Sequence, residues 1–425
     1  MSREVMGGMI LLISAAIALI WVNSPFSSSY ESLMNLPIGF NIGDFQIERT
    51  VHFLINDGLM TFFFLVAGME IRHAIHDGAL ANWQQAALPL VAACGGVMIP
   101  ALIFLSLNAG SEQSVGWAIP TATDIAFAVG ILALLGGAIP ANLRIILLSL
   151  AIIDDVIAVM IIAIFYSNGL DMNGAIITFL GISLVFLWQK MHIASAWAYV
   201  MPAAILWLGL LKTGIHPSLA GVVLGLVTPP SLVKSKQELL QHMRFAVAQL
   251  SKNQEQETSK TTQLLKNLRQ SQRDLVAPII RVPMVLSPYV TFGVMPIFAF
   301  ANAGVRLGDV DLSMAGALPL LFGVGGGLLI GKPLGVLAAS YLAVKIGLCR
   351  LPPQLDWAGM TLIGLLAGIG FTMAIFIAML AFVEAPFLAA AKMGILAGSF
   401  LSALLGLGFG LFYCRRQAAR SSIKL

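Results

Sequence analysis

Apolar runs of about twenty residues recur from one end of this sequence to the other, from VMGGMILLISAAIALIWV near the start to FLSALLGLGFGLFYC near the end. Each is long enough, as a helix, to cross the hydrocarbon core of a bilayer. Composition agrees: of 425 residues 58% are hydrophobic and only 10% charged, and the mean hydropathy is +0.90. The chain reads as an all-α polytopic membrane protein with about twelve transmembrane helices, forming a single transporter domain over residues 1–425. The net charge of +4 is spread along the chain, which argues against a nucleic-acid partner. Cys94, Cys349 and Cys414 lie far apart without metal-ligand spacing and imply no redox role. The first run follows Arg3 but is not closed by a small-x-small cleavage site, so it reads as a membrane helix rather than a leader.

The expected spans centre near Ile13, Phe63, Ala92, Val129, Ile153, Leu180, Ala198, Gly221, Phe292, Leu329, Leu366 and Leu401. The seventh and eighth are short and separated only by LKTGIHPS, which makes them the weakest pair. With the N-terminus inside, Arg3, Arg72, Arg144, Lys190, nine basic residues from Lys234 to Arg281, Lys345, Arg350 and the tail basics are all cytoplasmic. Arg49, Lys212, Arg306 and Lys392 are then left outside, so the positive-inside rule places both termini in the cytoplasm. Residues 231–273 form the one hydrophilic insertion, rich in Lys, Gln, Glu and Leu, and read as a cytoplasmic loop, either a solvated helix or a partly disordered arm. Between the first two spans, GFNIGDFQI alternates about Gly43-Asp44 and predicts a hairpin near residues 39–47. Its edge offers a strand to a second copy of the chain.

The charges inside the spans carry the chemistry. Asp154 and Asp155 lie in the middle of NLRIILLSLAIIDDVIAVMIIAIFY, where each carboxylate costs about 2.5–3.5 kcal/mol even on the lenient insertion scale. They mark a place where a cation or proton is handled. Asp124 follows IPTAT, whose proline and threonines weaken regular helix. A matching interruption, Gly364, Gly368, Gly370 and Thr372, occurs in the penultimate span. Glycines alone more often mean close packing, but paired broken helices in two halves point to a transporter's binding site. Half-helix N-termini gather partial positive charge and C-termini partial negative charge. Asp124 and Lys332 therefore suit charge compensation as well as transport. Lys332 has apolar sequence on both sides in GVGGGLLIGKPLGVLAASYLA, which disfavours snorkelling to an interface.

The strings FLINDGLMTFFFLVAGMEI, WAIPTATDIAFAVGILALLGG, LSLAIIDDVIAVMIIAIFY, LKTGIHPSLAGVVLGL, MPIFAFANAGV, LLIGKPLG and GIGFTMAIFIA, taken in order, resemble the NhaA family of sodium/proton antiporters. The resemblance runs from the first span to the last and leaves out only the insertion and the termini. It implies inverted-topology repeats with two crossed discontinuous helices, a homodimer joined partly through the hairpin, and a place in the bacterial cytoplasmic (inner) membrane. It also implies electrogenic exchange of cytoplasmic Na⁺ for external H⁺, with Li⁺ as a further candidate cargo, and no cofactor. Carried over by residue, the resemblance makes Asp155 the main sodium ligand and Asp154 its neighbour, paired in one state with Lys332, and puts Thr123 and Asp124 at the helix crossing close to the ion path. Glu70 matches an acid of the cytoplasmic funnel. Around it the pattern departs, with Arg72, His73 and Ala74 and with Pro283 where family members often carry a carboxylate. The transport centre is therefore expected to be intact and the pH-sensing surface altered.

Two other classes of protein use the same kinds of residue. A sodium-coupled symporter of an organic anion would also use broken helices and buried acids, but needs a larger polar pocket. An intramembrane aspartyl protease needs carboxylates facing each other from separate helices. Here the acids are adjacent on one helix and no GxGD motif occurs.

Overall fold

The computed structural model describes residues 3–422 except 43–44, 79, 137–138, 168, 170, 192, 194, 231–243, 245–274, 307 and 309–312. The insertion expected at 231–273 lies outside the described residues apart from Arg244. In chain order the elements are α1 Arg3–Val22, α2 Ser27–Met34, β1 Pro37–Ile42 and β2 Phe45–Thr50, followed by α3 Val51–His76 and α4 Trp83–Asn108. A 3₁₀ segment, Glu112–Thr121, leads into α5 Ile125–Leu134 and then α6 Ala141–Phe165, α7 Met172–Lys190, α8 Ala196–Thr213 and α9 Leu219–Val227. The chain closes with α10 Pro278–Asn302, α11 Ala317–Ile346, α12 Trp357–Ala367, α13 Phe371–Ala381 and α14 Ala385–Ser422.

Among the described residues, ten helical stretches are long and apolar enough to cross a membrane. The pair α12 and α13, bent by 45° at its break, makes an eleventh. Eleven of the twelve expected centres fall in these. The eighth, Gly221, lies on α9, whose nine residues span only about 13 Å, short of a bilayer core of about 30 Å. The expected hairpin is present: β1 pairs with β2 antiparallel, and the register Ile42↔Phe45 leaves two linking residues.

Among the described residues, three spans contain a π-helical turn: Leu54–Leu59 in α3, Val290–Val294 in α10 and Gly327–Gly331 in α11. Two of these have a visible cause. Pro296 and Pro333 lack an N–H, and each ring would clash with the carbonyl four residues earlier, at Phe292 and Leu329. Both carbonyls lie within the wider turn, which relieves the clash. In α3 the Thr61 hydroxyl donates to the Asp57 carbonyl at 2.5 Å, giving that turn a side-chain partner.

The chain divides into two compact units. The first comprises 1–63, 77–168 and 289–425. Within it α4 packs closely on α11, where Gly95 and Gly335 face each other: a Cβ on either would strike the other's carbonyl oxygen. Small residues are what allow membrane helices to approach this closely. The second unit comprises 64–76 and 169–288. There α7 and α8 form a tight helical pair, with Gly181 against Leu206 and Gly209 against Thr178, while Gly68 and Gly225 bring α3 and α9 together.

Candidate functional site

Pro120 and the following threonines end the 3₁₀ segment at Thr121, and residues 122–124 are extended before α5 begins. Gly368 and Gly370 make the second interruption, between α12 and α13. The two breaks meet in the first unit: the Asp124 amide donates to the Ile369 carbonyl at 2.7 Å. Gly370 permits the approach, since a methyl group there would sit 3.0 Å from the Ala122 carbonyl oxygen. The 3₁₀ segment packs on α13, and α12 packs on α5, so each first half lies against the second half of the other span.

This arrangement gathers like helix ends. Asp124, itself buried, caps α5 through Oδ1, which accepts from the Phe127 amide at 3.1 Å. Its Oδ2 accepts from the Thr372 amide at 3.1 Å and the Thr372 hydroxyl at 2.5 Å, in the first turn of α13. One carboxylate thus faces two helix N-termini, each carrying roughly half a positive charge. At the opposite ends, Lys332 Nζ donates to the Thr121 carbonyl and Thr123 Oγ1 lies 3.0 Å from the Ala367 carbonyl oxygen. The Phe371 amide, at the start of α13, donates to Ser399 Oγ of α14 at 3.1 Å.

Asp154, on α6, joins the carbonyl side. Its Oδ2 lies 2.8 Å from Lys332 Nζ, with both side chains completely buried, and accepts from Thr123 Oγ1 at 2.7 Å. Its Oδ1 is buried with no hydrogen-bond partner among the described residues. Asp155 follows on the same helix, also buried and turned about 100° round the axis. The Lys332 stem runs past Gly96, where an added Cβ would lie 3.7 Å from Cε.

The structure therefore brings together Asp154, Lys332 and Thr123, and places Asp124 next to Thr123 at the joined N-termini. Glu70, exposed near the end of α3, belongs to the second unit. Three partners escaped the sequence reading. Thr372 was visible as part of a helix break, but nothing local in the sequence paired it with Asp124. The Thr121 carbonyl and Ser399 carry no sequence signal at all. Among the described residues, no group of three or more His, Cys, Asp or Glu could hold a resident metal. Asp154 pairs with a lysine rather than with a second carboxylate.

Comparison with known proteins gives a consistent answer. Residues 1–409 match the family model described as Na⁺/H⁺ antiporter 1. The chain is 55% identical to the Na⁺/H⁺ antiporter NhaA of Bartonella henselae, over 98% of this chain and 92% of that protein. It is 57% identical to the protein of that name from Bartonella bacilliformis, over 97% and 92% respectively. The corresponding protein of Janthinobacterium is 54% identical, over 97% and 92%.

Proposed function

Because this chain belongs to the NhaA family of Na⁺/H⁺ antiporters, we propose that its buried carboxylate pair is where Na⁺ and H⁺ exclude one another. The chain is a multi-pass membrane transporter that exchanges Na⁺ for H⁺, and not an enzyme. The observation carrying the finer reading is the fully buried Asp154–Lys332 pair at the junction of two broken helices, with Asp155 on the adjoining position.

Asp155 is the principal sodium ligand in this reading. Asp154 Oδ2 is already occupied by Lys332 and Thr123, whereas its unpartnered Oδ1 offers a further oxygen to an arriving cation. A sodium ion beside the pair competes with the ammonium for Asp154, since a buried charge needs a counter-charge. Two carboxylates this close in a poorly hydrated site titrate together, so the protons belong to the pair. The Thr123 hydroxyl suits both states. With Asp154 ionised it donates to Oδ2, and with Asp154 protonated it can accept that proton and donate to the Ala367 carbonyl instead. Asp124 holds the two N-termini throughout.

Alternate exposure of the site to the two sides then couples the opposite fluxes. The exchange is electrogenic, extrudes cytoplasmic sodium against entering protons, and requires no ATP. Both termini lie in the cytoplasm on positive-inside grounds, with an even number of crossings that counts the short α9 as one of twelve; the membrane is the bacterial cytoplasmic membrane, and the β1–β2 edge joins two copies into a dimer. An organic-anion symporter is disfavoured by family membership.

In everted vesicles, added Na⁺ should dissipate a preformed proton gradient, with Li⁺ and K⁺ run in parallel to define selectivity. Asp155→Asn keeps the shape but removes the charge, and should lose at least 90% of the response, about a tenfold drop or more. Near-normal exchange by Asp155→Asn would remove it from the site.

A further inference from the structure

A second buried polar cluster lies away from the carboxylates, in the first unit, at the end of α3 next to the hairpin. Asn302, completely buried at the end of α10, donates through Nδ2 to the Phe298 carbonyl at 2.9 Å and to Asn56 Oδ1 at 2.7 Å. A carbonyl can only accept, so the amide orientation is fixed and Oδ1 faces the other way. His52 Nε2 lies 2.9 Å from that Oδ1 and must be the donor. Asn56, in the π-turn of α3, then presents its own NH₂ group to the imidazole, 3.3 Å from each ring nitrogen. The same NH₂ lies 3.6 Å from Met379 Sδ of α13.

This chain of contacts fits one protonation state. With Nε2–H directed at Asn302, a neutral imidazole leaves Nδ1 unprotonated beside the Asn56 donors. A second proton on Nδ1 would set a cation against them. The charged groups on the surrounding elements do not offer it a clear partner. Lys392 of α14 is within electrostatic reach and repels it, and Glu31 of α2 is engaged by Arg306 at 2.7 Å. Asp57, on α3 itself, interacts with Arg49. The cluster also bears on the transport centre, because α13 carries both Met379 and, two turns earlier, the Thr372 that binds Asp124. Phe298, whose carbonyl holds Asn302, packs on Phe376 of the same helix with ring centroids 6.1 Å apart.

We infer that His52 is a proton-sensitive positioning residue for α13: neutral, it completes the His52–Asn302–Asn56–Met379 chain, and protonated, it breaks the chain and lets that half-helix shift. The inference rests on the antiport reading. It concerns maximal rate, not sodium binding, because the cluster's hydrogen bonds join α3, α10 and α13 and meet the transport centre through α13.

The test is the maximal rate at saturating Na⁺ in proteoliposomes between pH 4.5 and 8.5, a range reaching well below the ordinary imidazole titration near about 6.5 because Lys392 opposes the second proton. Wild type and His52→Gln are compared, since glutamine can still donate to Asn302 but cannot be protonated. Equal rates at pH 8.5, with His52→Gln at least about threefold faster at the acid end, are expected. Rate profiles of the same shape would overturn the proposal. Hydrogen exchange over residues 371–381 provides a readout in the unaltered protein. After correction for intrinsic rates, protection in wild type should fall on acidification from pH 8 to pH 4.5, and unchanged protection would count against the proposal even if His52→Gln fails to fold. Absence of any Na⁺-dependent proton movement by wild type would instead defeat the antiport reading itself.

Discussion

At the scale of single residues, the site is a problem of buried charge. Lys332 and Asp154 have no exposed side-chain surface, so neither can lose its partner cheaply. Removing one member of such a pair typically costs about 3–5 kcal/mol, because the other is left buried and uncompensated. Lys332 also neutralises the Thr121 carbonyl at a helix end. Lys332→Ala should therefore lower the melting temperature in detergent as well as transport, while Lys332→Arg keeps the charge and more of both. A Lys332→Ala protein that melts like wild type would show that the lysine has no structural role. Most of this site was legible from sequence, since a charge within an apolar run is conspicuous: Asp154, Asp155, Asp124 and Lys332 all stand out for that reason. The bond from Thr372 to Asp124 was not legible, because it joins residues 248 positions apart and only the fold brings them together.

At the scale of elements, two devices shape the centre: broken helices and close helix contacts. The breaks at 122–124 and 368–370 follow from residues that disfavour regular helix, and both were readable as Pro-Thr and Gly clusters. The π-turns were not, although Pro296 and Pro333 explain two of them once the helices are seen. The contact of α4 with α11 sets the position of Lys332, which lies one turn before Gly335. Gly335→Ala would place a methyl against the Gly95 backbone, and overpacking of this kind costs about 1–3 kcal/mol. A lower melting temperature is expected together with reduced exchange, because α11 must move to relieve the clash. Wild-type stability and activity in Gly335→Ala would mean that the contact does not fix Lys332. On the α7–α8 pair of the second unit, by contrast, a comparable change such as Gly209→Ala should affect stability before ion affinity, since no proposed ligand lies on those helices.

For the molecule as a whole, hydropathy foretold the architecture because lipid leaves the backbone few ways to satisfy its hydrogen bonds. Eleven expected span centres fall on long helices or on the bent pair, and the twelfth, Gly221, falls on an apolar helix of only nine residues. Division into two compact units was not legible, since each is assembled from segments distant in sequence. The mechanism proposed for the whole depends on one claim, that Na⁺ and H⁺ compete for the same carboxylates. If they do, protonated sites cannot bind Na⁺, but enough Na⁺ restores occupancy. Below the governing pKa the apparent sodium KM should then rise by about tenfold per pH unit for each proton displaced, with little change in maximal rate by mass action. The His52 inference adds its effect on maximal rate alone, so His52→Gln is the cleaner background. The decisive measurement is exchange by that variant over a wide range of Na⁺ at several pH values, with internal and external pH equal. A KM that climbs with acidity at constant maximal rate is the predicted result, and a pH-independent KM with a falling maximal rate would contradict it.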